Sequence, residues 1–521
     1  MSAVDRLLDS YLDLRWHFDP AAASAAGVNE ADGRLGRFDA EAMREHLAAF
    51  RAIGAAAEEL DVDALDEEID RTALLDDVRT LLARFEQERP PVRDPGFWVD
   101  HLTQAFTSLL LRRPDRAAPG AAAAAVGERM RAVPGFVDAA RATIRRPPAI
   151  LSDRALGQLG ALGEVLVHAT AELGAEAPGG PDALQKATGE ALVALRRFGT
   201  ALRDEIEPDP DPGATALGEE RLDRRLHHEH AVRESAAELW RSALRERDAL
   251  EARLTAEAAV VAPGRPWREV VERCYDERLA QAVPVLREAI GELGKATAST
   301  GAVAVPAEEL DVIETHGVFA TLLREPTYLT PAGGGGVARL IVGAALAPPE
   351  IPGLAAREAV PGRHLHTIAR LAATTAVRRA LAAPAAVDGW SLYAEQLADE
   401  LGLLTMPEAR VVSLARRLEA VAEMALDLGL HARGLTPAAG AQLLTEWVPT
   451  GRDRAELVVR RAAAHPGRLL AAEVGRRELV RLRRMAEASP ARIPAFRTFH
   501  DAVLAHGGLA PGLTGWGMGL G

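Results

Sequence analysis

The stretch Arg357-Glu358-Ala359-Val360-Pro361-Gly362-Arg363-His364-Leu365-His366 places a carboxylate, two guanidiniums and two imidazoles close together in the chain. In one class of zinc hydrolase a helix carries H-E-x-x-H: two histidines one turn apart bind the metal, and the adjacent glutamate activates the metal-bound water. A carboxylate from a later helix completes the ligand set. Glu358 fits the glutamate of such a helix, and the later stretch Asp388-Gly389-Trp390-Ser391-Leu392-Tyr393-Ala394-Glu395 offers a second carboxylate in the right order. The histidine pair does not fit. His364 and His366 lie two apart, on different faces of a helix, and make no natural chelating pair. The arginines cannot ligate a metal, since a guanidinium stays protonated and has no free lone pair. They instead set fixed positive charge where a dication would sit, with Glu358 or Glu395 as partners.

Other candidates are weaker. Asp427 and His431 are four apart and share a helix face, as a network that orients a ligand or as an ordinary helix-end pair. In His227-His228-Glu229-His230 only His227 and His230 could face one another, and the charged surroundings favour a solvated helix face over a ligand set. The Gly333 to Gly336 run lacks the lysine and spacing of a phosphate loop and reads as a turn or lid beside a cleft. Cys274 has no activating neighbour in sequence and reads as buried.

These residues must be positioned by helices. Val4 to Phe18 places Leu7, Leu8, Tyr11, Leu14 and Phe18 at spacings of three and four. Asp19 to Phe38 is rich in small and turn-forming residues and is expected to cross the surface or fold over a cleft. Helices are expected over Asp39 to Glu88, Phe97 to Arg113, Pro119 to Ile144, Asp153 to Leu173 and Pro181 to Glu205. The run Glu207 to Gly213, E-P-D-P-D-P-G, cannot be helix interior because proline removes donors and clashes with the preceding turn. It divides an N-terminal half, 1–206, from a C-terminal half, 214–521, within one continuous architecture. Glu219 to Val260 reads as one long charged helix and Trp267 to Leu293 as another. Short strands fit only between Ala302 and about Val342, for example Val337 to Val342. Ile368 to Met485 is helical with short breaks, and the tail from Gly507 is glycine-rich.

Composition narrows the function classes. With 48% hydrophobic and 26% charged residues the chain is globular, not disordered. A formal charge of −14 argues against a nucleic-acid partner held by overall electrostatics. Lys186 and Lys295 are the only lysines, and the arginine-for-lysine usage reads as compositional bias. A single cysteine excludes an intrachain disulfide and a thiolate metal cluster. No stretch is long and apolar enough to span a membrane, and the N-terminus lacks the apolar core of a signal peptide. A cytoplasmic protein without membrane partners is expected.

The motifs together carry a family resemblance. R-E-A-V-P-G-R-H-L-H at 357–366, G-W-S-L-Y-A-E at 389–395, D-L-G-L-H at 427–431, P-G-R-L-L-A-A-E-V-G at 466–475 and F-H-D-A-V-L-A-H-G at 499–507 stand in the order of a bacterial domain-of-unknown-function family, number 885. A-G-V-N-E-A-D-G-R-L at 26–35 resembles that family's opening. Its members look like distant relatives of helical Taq-type zinc carboxypeptidases. The resemblance implies a mainly α, large helical zincin-carboxypeptidase-like fold with a deep central cleft, lined by helices starting near Pro361, Asp388 and Val411. The family's first histidine falls on Arg357, the histidine after Pro-Gly on Arg363, its glutamine on His366, and a tyrosine of the P-G-Q segment on Ala472. Glu358, His364, Glu395, Asp427 and His431 are retained.

Three functions follow. The first is a zincin-like protein without its metal, silent as a peptidase or repurposed to bind or transform a small or peptide-like ligand in the cleft. Glu358, Arg357, Arg363, His364, Asp427 and His431 would be its site residues, with no cofactor. The second is an active metal-dependent hydrolase with zinc on shifted ligands, Glu358, His364 and Glu395. The third is a helical interaction scaffold, resting on the charged stretch Glu219 to Val260.

Overall fold

Alanine, leucine and arginine all have high helix propensity, and the chain is built from helices joined by short connections. The structure, a computed structural model, describes residues 2–112, 120–323, 325–331, 337–343, 345–488 and 496–520. The expected Gly333 to Gly336 turn lies outside the described residues.

The N-terminal half packs Ala3–Phe18, Ala40–Glu59, Leu65–Ala83, Pro95–Leu111, Ala121–Thr143, Ala149–Leu173 and Gly180–Asp204 around one apolar core. Asp19 to Phe38 is not a surface crossing. Pro20–Ala26 is a helix, Asn29–Ala31 a 3₁₀ turn, and Ala21, Ala23, Ser24 and Phe38 are buried. The segment wraps the buried guanidinium of Arg129, which donates to the carbonyls of Arg34 at 3.0 Å and Ala31 at 3.2 Å and to the Ser24 hydroxyl at 2.8 Å. A buried charge needs such partners, and an arginine that finds them on backbone leaves no signature in the wrapping sequence.

In the C-terminal half the two long helices expected there are each broken. Glu219–His230 ends at Ala231, whose φ of 51° is left-handed, and Ala236–Val261 restarts from Ser235. Ser235 and Glu238 form a capping box, the side chain of each accepting from the other's backbone N–H. That S-x-x-E start signal was present in the sequence, outweighed by the unbroken run of charge. Trp267–Cys274 and Ala282–Thr300 likewise replace one helix by two. Cys274 is buried, and burial pushes its thiol up to about 11.

A small sheet contains β1 (Leu310–Glu314), β2 (Thr327–Leu329) and β3 (Ala338–Val342) in the order β1-β3-β2. β1 runs parallel to β3, with Val312 opposite Leu340, and β2 antiparallel, with Tyr328 opposite Leu340. Val312, Leu340 and Val342 pack on the Ala282–Thr300 and Glu350–Glu358 helices. Beyond the sheet run Arg363–Leu371, Pro384–Glu400, Pro407–Ala432, Pro437–Trp447, Arg452–Ala464, Ala471–Glu487, Phe496–Ala505 and Pro511–Gly517.

The two halves are tied at several points. Val377, Leu381 and Leu509 sit in the core of the N-terminal half. Arg378 pairs with Asp70 at 2.9 Å and Asp66 at 2.7 Å, and Arg225 with Glu88 at 2.8 Å. Between them Asp209 donates its N–H to the Pro147 carbonyl at 2.7 Å, and the proline-rich 207–213 run forms no helix.

Candidate functional site

The Glu350–Glu358 helix stops because the chain turns back on it through Ala359 to Gly362, with a cis peptide at Val360–Pro361. Gly362 is required there: a Cβ would stand 2.0 Å from the Arg357 carbonyl oxygen. The Trp390 indole N–H donates to the Pro361 carbonyl at 2.9 Å, and the Ser391 hydroxyl to the Arg357 carbonyl at 2.7 Å. The motif at 389–395 thus fastens the turn of the motif at 357–366. Gly389 lets the Pro384–Glu400 helix cross Ala471–Glu487 closely, since its Cβ would lie 2.5 Å from the Cα of Gly475.

On this frame the acids and arginines alternate in a continuous chain. Arg357 donates to Glu395 at 3.2 Å and to Glu358 at 3.1 Å. Arg363 donates to the other Glu358 oxygen at 2.9 Å and to Asp388 at 2.9 Å. Arg468 closes the series on the second Asp388 oxygen at 2.5 Å. Its two ends differ in burial: Glu395 exposes 3% of its side chain and Arg357 13%, whereas Arg468 exposes 41%. Burial alone would lower the Arg363 guanidinium, but Glu358 and Asp388 outweigh it and raise its pKa. Burial would raise Asp388, but Arg468 and Arg363 outweigh it and hold that carboxyl below its ordinary value. Three carboxylates and three guanidiniums neutralise one another. A fourth arginine, Arg416 on Pro407–Ala432, lies in the field of Glu395, whose charge helps raise its pKa against burial.

Arg357, Glu358 and Arg363 are therefore brought together with Glu395. His364 is not. Its Nε2 donates to the Glu308 carbonyl at 2.8 Å and its Nδ1 faces the Tyr328 hydroxyl at 3.0 Å. Burial lowers its pKa, and a neutral ring with Nε2–H and an accepting Nδ1 satisfies both contacts. Asp427 and His431 also stand apart from the chain, wholly buried. Asp427 accepts the N–H groups of Gly467 at 2.9 Å, Leu469 at 3.0 Å and Leu470 at 3.2 Å. The ring nitrogens of His431 lie 3.1 and 3.0 Å from the carbonyl oxygens of Thr215 and Ala462. This pair holds the loop that presents Arg468 and the segment entering the C-terminal half. Of the other histidines, His228 reaches Asp76 at 2.7 Å and buried His230 the Gly467 carbonyl at 2.9 Å, so they do not converge.

The residues do not fit zinc. Both oxygens of Glu358 are taken by arginine, Glu395 is taken by Arg357, and both nitrogens of His364 are engaged elsewhere. Among the described residues no three His, Cys, Asp or Glu side chains come together in a way that could hold a metal ion. Sequence reasoning missed Asp388, Arg416 and Arg468 as parts of the site. Asp388 and Arg468 lay inside quoted motifs, while Arg416 had no signal beyond its place on a long helix.

No curated protein matches the sequence. A sequence model for a bacterial protein family of unknown function, DUF885, matches residues 20–513. The fold is shared with a candidate lipoprotein of unknown function from Shewanella oneidensis, 18% identical, covering 99% of this chain and 100% of that one at a TM-score of 0.78. A candidate lipoprotein from Colwellia psychrerythraea, 16% identical, covers 100% and 99% at 0.75. An M32 carboxypeptidase from Deinococcus radiodurans R1, 14% identical, covers 98% of this chain and 91% of that one at a TM-score of 0.41. Among the described residues no helix is long and apolar enough to cross a membrane.

Proposed function

The chain belongs to the bacterial family DUF885, and from that premise we propose that it is a zincin-like protein that works without zinc, silent as a peptidase and retained to bind or transform a small or peptide-like ligand. The observation that carries this reading is the alternating series Glu395, Arg357, Glu358, Arg363, Asp388, Arg468. A general base must have a free oxygen within reach of the proton it takes, and Glu358 spends both on guanidiniums. The arginines replace the charge of a dication with fixed cations that pair the buried carboxylates. At the more exposed end Arg468 uses only one N–H group on Asp388, and its remaining donors suit a carboxylate or an amide carbonyl of a ligand.

We place the protein in the cytoplasm, with neither nucleic acid nor membrane as partner; cell fractionation against a periplasmic marker tests this, since two proteins of the same fold are described as candidate lipoproteins. The function is tested by metal analysis of freshly purified protein together with peptidase assays in added Zn²⁺. Substoichiometric zinc and no turnover are expected. Stoichiometric zinc that is lost in Glu358→Gln or Glu395→Gln sinks the proposal in favour of a hydrolase with shifted ligands. Restoring histidine in Arg357→His/Arg363→His should create zinc affinity, because it frees Glu358 and Glu395 and supplies imidazoles beside them.

A further inference from the structure

Gln396 of the Pro384–Glu400 helix lines a pocket of about 800 Å³, within the range of small-molecule sites. Its walls come from Val232 to Glu234, Ala236–Val261, Pro407–Ala432 and Ala471–Glu487, and no member of the ion-pair series lines it. Seven of its lining residues are arginine and three are glutamate. In a chain whose formal charge is −14, compositional bias alone does not concentrate cations so. At this pocket arginines outnumber glutamates.

The arginines are also incompletely used. Arg417 pairs with Glu246 through Nη2, and Arg477 with Glu234 at 3.1 Å. The Nε of each is shielded from solvent and has no hydrogen-bond partner. Buried donors without partners are uncommon and call for an explanation such as a missing ion. Arg476, nearly fully buried, pairs with Glu473 at 2.6 Å beneath the wall. Arg233 and Arg484 are exposed at the pocket and form no ion pair among the described residues. Arg477, Arg481 and Arg484 follow one another at helical spacings of four and three on Ala471–Glu487, so their heads share a face.

We propose that this pocket binds a small molecule carrying two linked phosphate groups. Its lining has four more arginines than glutamates, and counting Glu473 beneath Arg476 and Asp399, 3.7 Å from Arg253, leaves an excess of two. A single carboxylate carries one charge and two oxygens and leaves half of that excess unmet, whereas two linked phosphates, each carrying about −1.5 to −2, offer oxygens to Arg233 and Arg484 and to the unpartnered Nε groups of Arg417 and Arg477. Val480 and Met485 at the wall give an apolar surface for the organic part of the ligand.

Inorganic pyrophosphate is the probe, titrated calorimetrically into the full chain, with orthophosphate and citrate as comparison anions. Pyrophosphate should bind tightest of the three, and more weakly as salt is raised. Arg233→Glu/Arg484→Glu, at exposed and unpaired positions, should keep its unfolding temperature and bind pyrophosphate at least about tenfold more weakly, a 1.4 kcal/mol effect. Absence of pyrophosphate binding at millimolar concentration, citrate binding as tight as pyrophosphate, or unchanged affinity in the folded double variant overturns the assignment. The site is independent of the zinc reading: Arg357→His/Arg363→His should leave pyrophosphate affinity as it is.

Discussion

A Cβ on Gly353 would stand 2.5 Å from Oε1 of Glu395. The missing side chain of one helix is the space that the carboxylate of another occupies, and this sets the buried end of the ion-pair series.

Gly353→Ala should therefore destabilise the protein even though alanine favours a helix by about 1 kcal/mol over glycine. Displacing Glu395 from Arg357 should outweigh that gain, for a net loss of about 1–3 kcal/mol in denaturant unfolding. In a double-mutant cycle with Glu395→Ala the two losses should not add. A more stable Gly353→Ala would mean that the carboxylate moves freely.

The series should also be graded. Arg357→Met leaves Glu358 and Glu395 buried with one fewer cation and should cost about 3–5 kcal/mol. Arg468→Ala, at the 41% exposed end, should cost less than about 1 kcal/mol. Equal effects in urea melts would contradict the difference in burial.

Asp427 should behave as a loop anchor. Asp427→Asn keeps one acceptor oxygen for the two N–H groups that Oδ2 receives, or for the one that Oδ1 receives, but not all three. A loss of about 1–3 kcal/mol is expected, accompanied by faster amide exchange at Gly467, Leu469 and Leu470. Unchanged exchange there would remove the anchor role.

Two acids should give stability opposite pH slopes. Burial, aided by Glu419, pushes the Glu423 carboxyl from 4.5 up to about 8. The folded chain then holds a proton that the unfolded chain releases, so this contribution is full below pH 4.5 and declines as pH rises towards 8. Glu423→Gln should flatten that decline by on the order of 1–2 kcal/mol. Asp388, held below 3.8, contributes in the other sense: full above that pH and lost as pH falls through its lowered folded value. Unfolding midpoints from pH 3 to 9 (a range of about six units) in both Glu423→Gln and Asp388→Asn check the two signs.

Much of the architecture was legible in the chain. Helical spacing marked Leu7 to Phe18, and E-P-D-P-D-P-G marked a stretch that could not be helix. The helical class and the family followed from ordered motifs. What could not be read was partnership across distance. Arg129 gathers carbonyls from Ala31 and Arg34, and no local pattern announces a backbone acceptor. His364 looked like a cleft residue by its motif neighbours, yet its ring is fixed by Tyr328 on a strand. Asp427 and His431 were correctly seen to share a face, at 3.7 Å, but a spacing of four says nothing about which loop the face meets. Arg357 with Glu395 was the exception, because opposite charges placed at two expected ligand positions need each other wherever those positions meet.

Val377, Leu381 and Leu509 belong to the core of the other half of the molecule, and Arg378 between the first two is anchored on Asp66 and Asp70. A protease cut within 207–213 would thus release no autonomous piece. The first fragment would lack three of its apolar neighbours and expose the socket they fill, so the nicked protein should stay associated and melt in one transition, and an expression vector ending near residue 206 should yield aggregate.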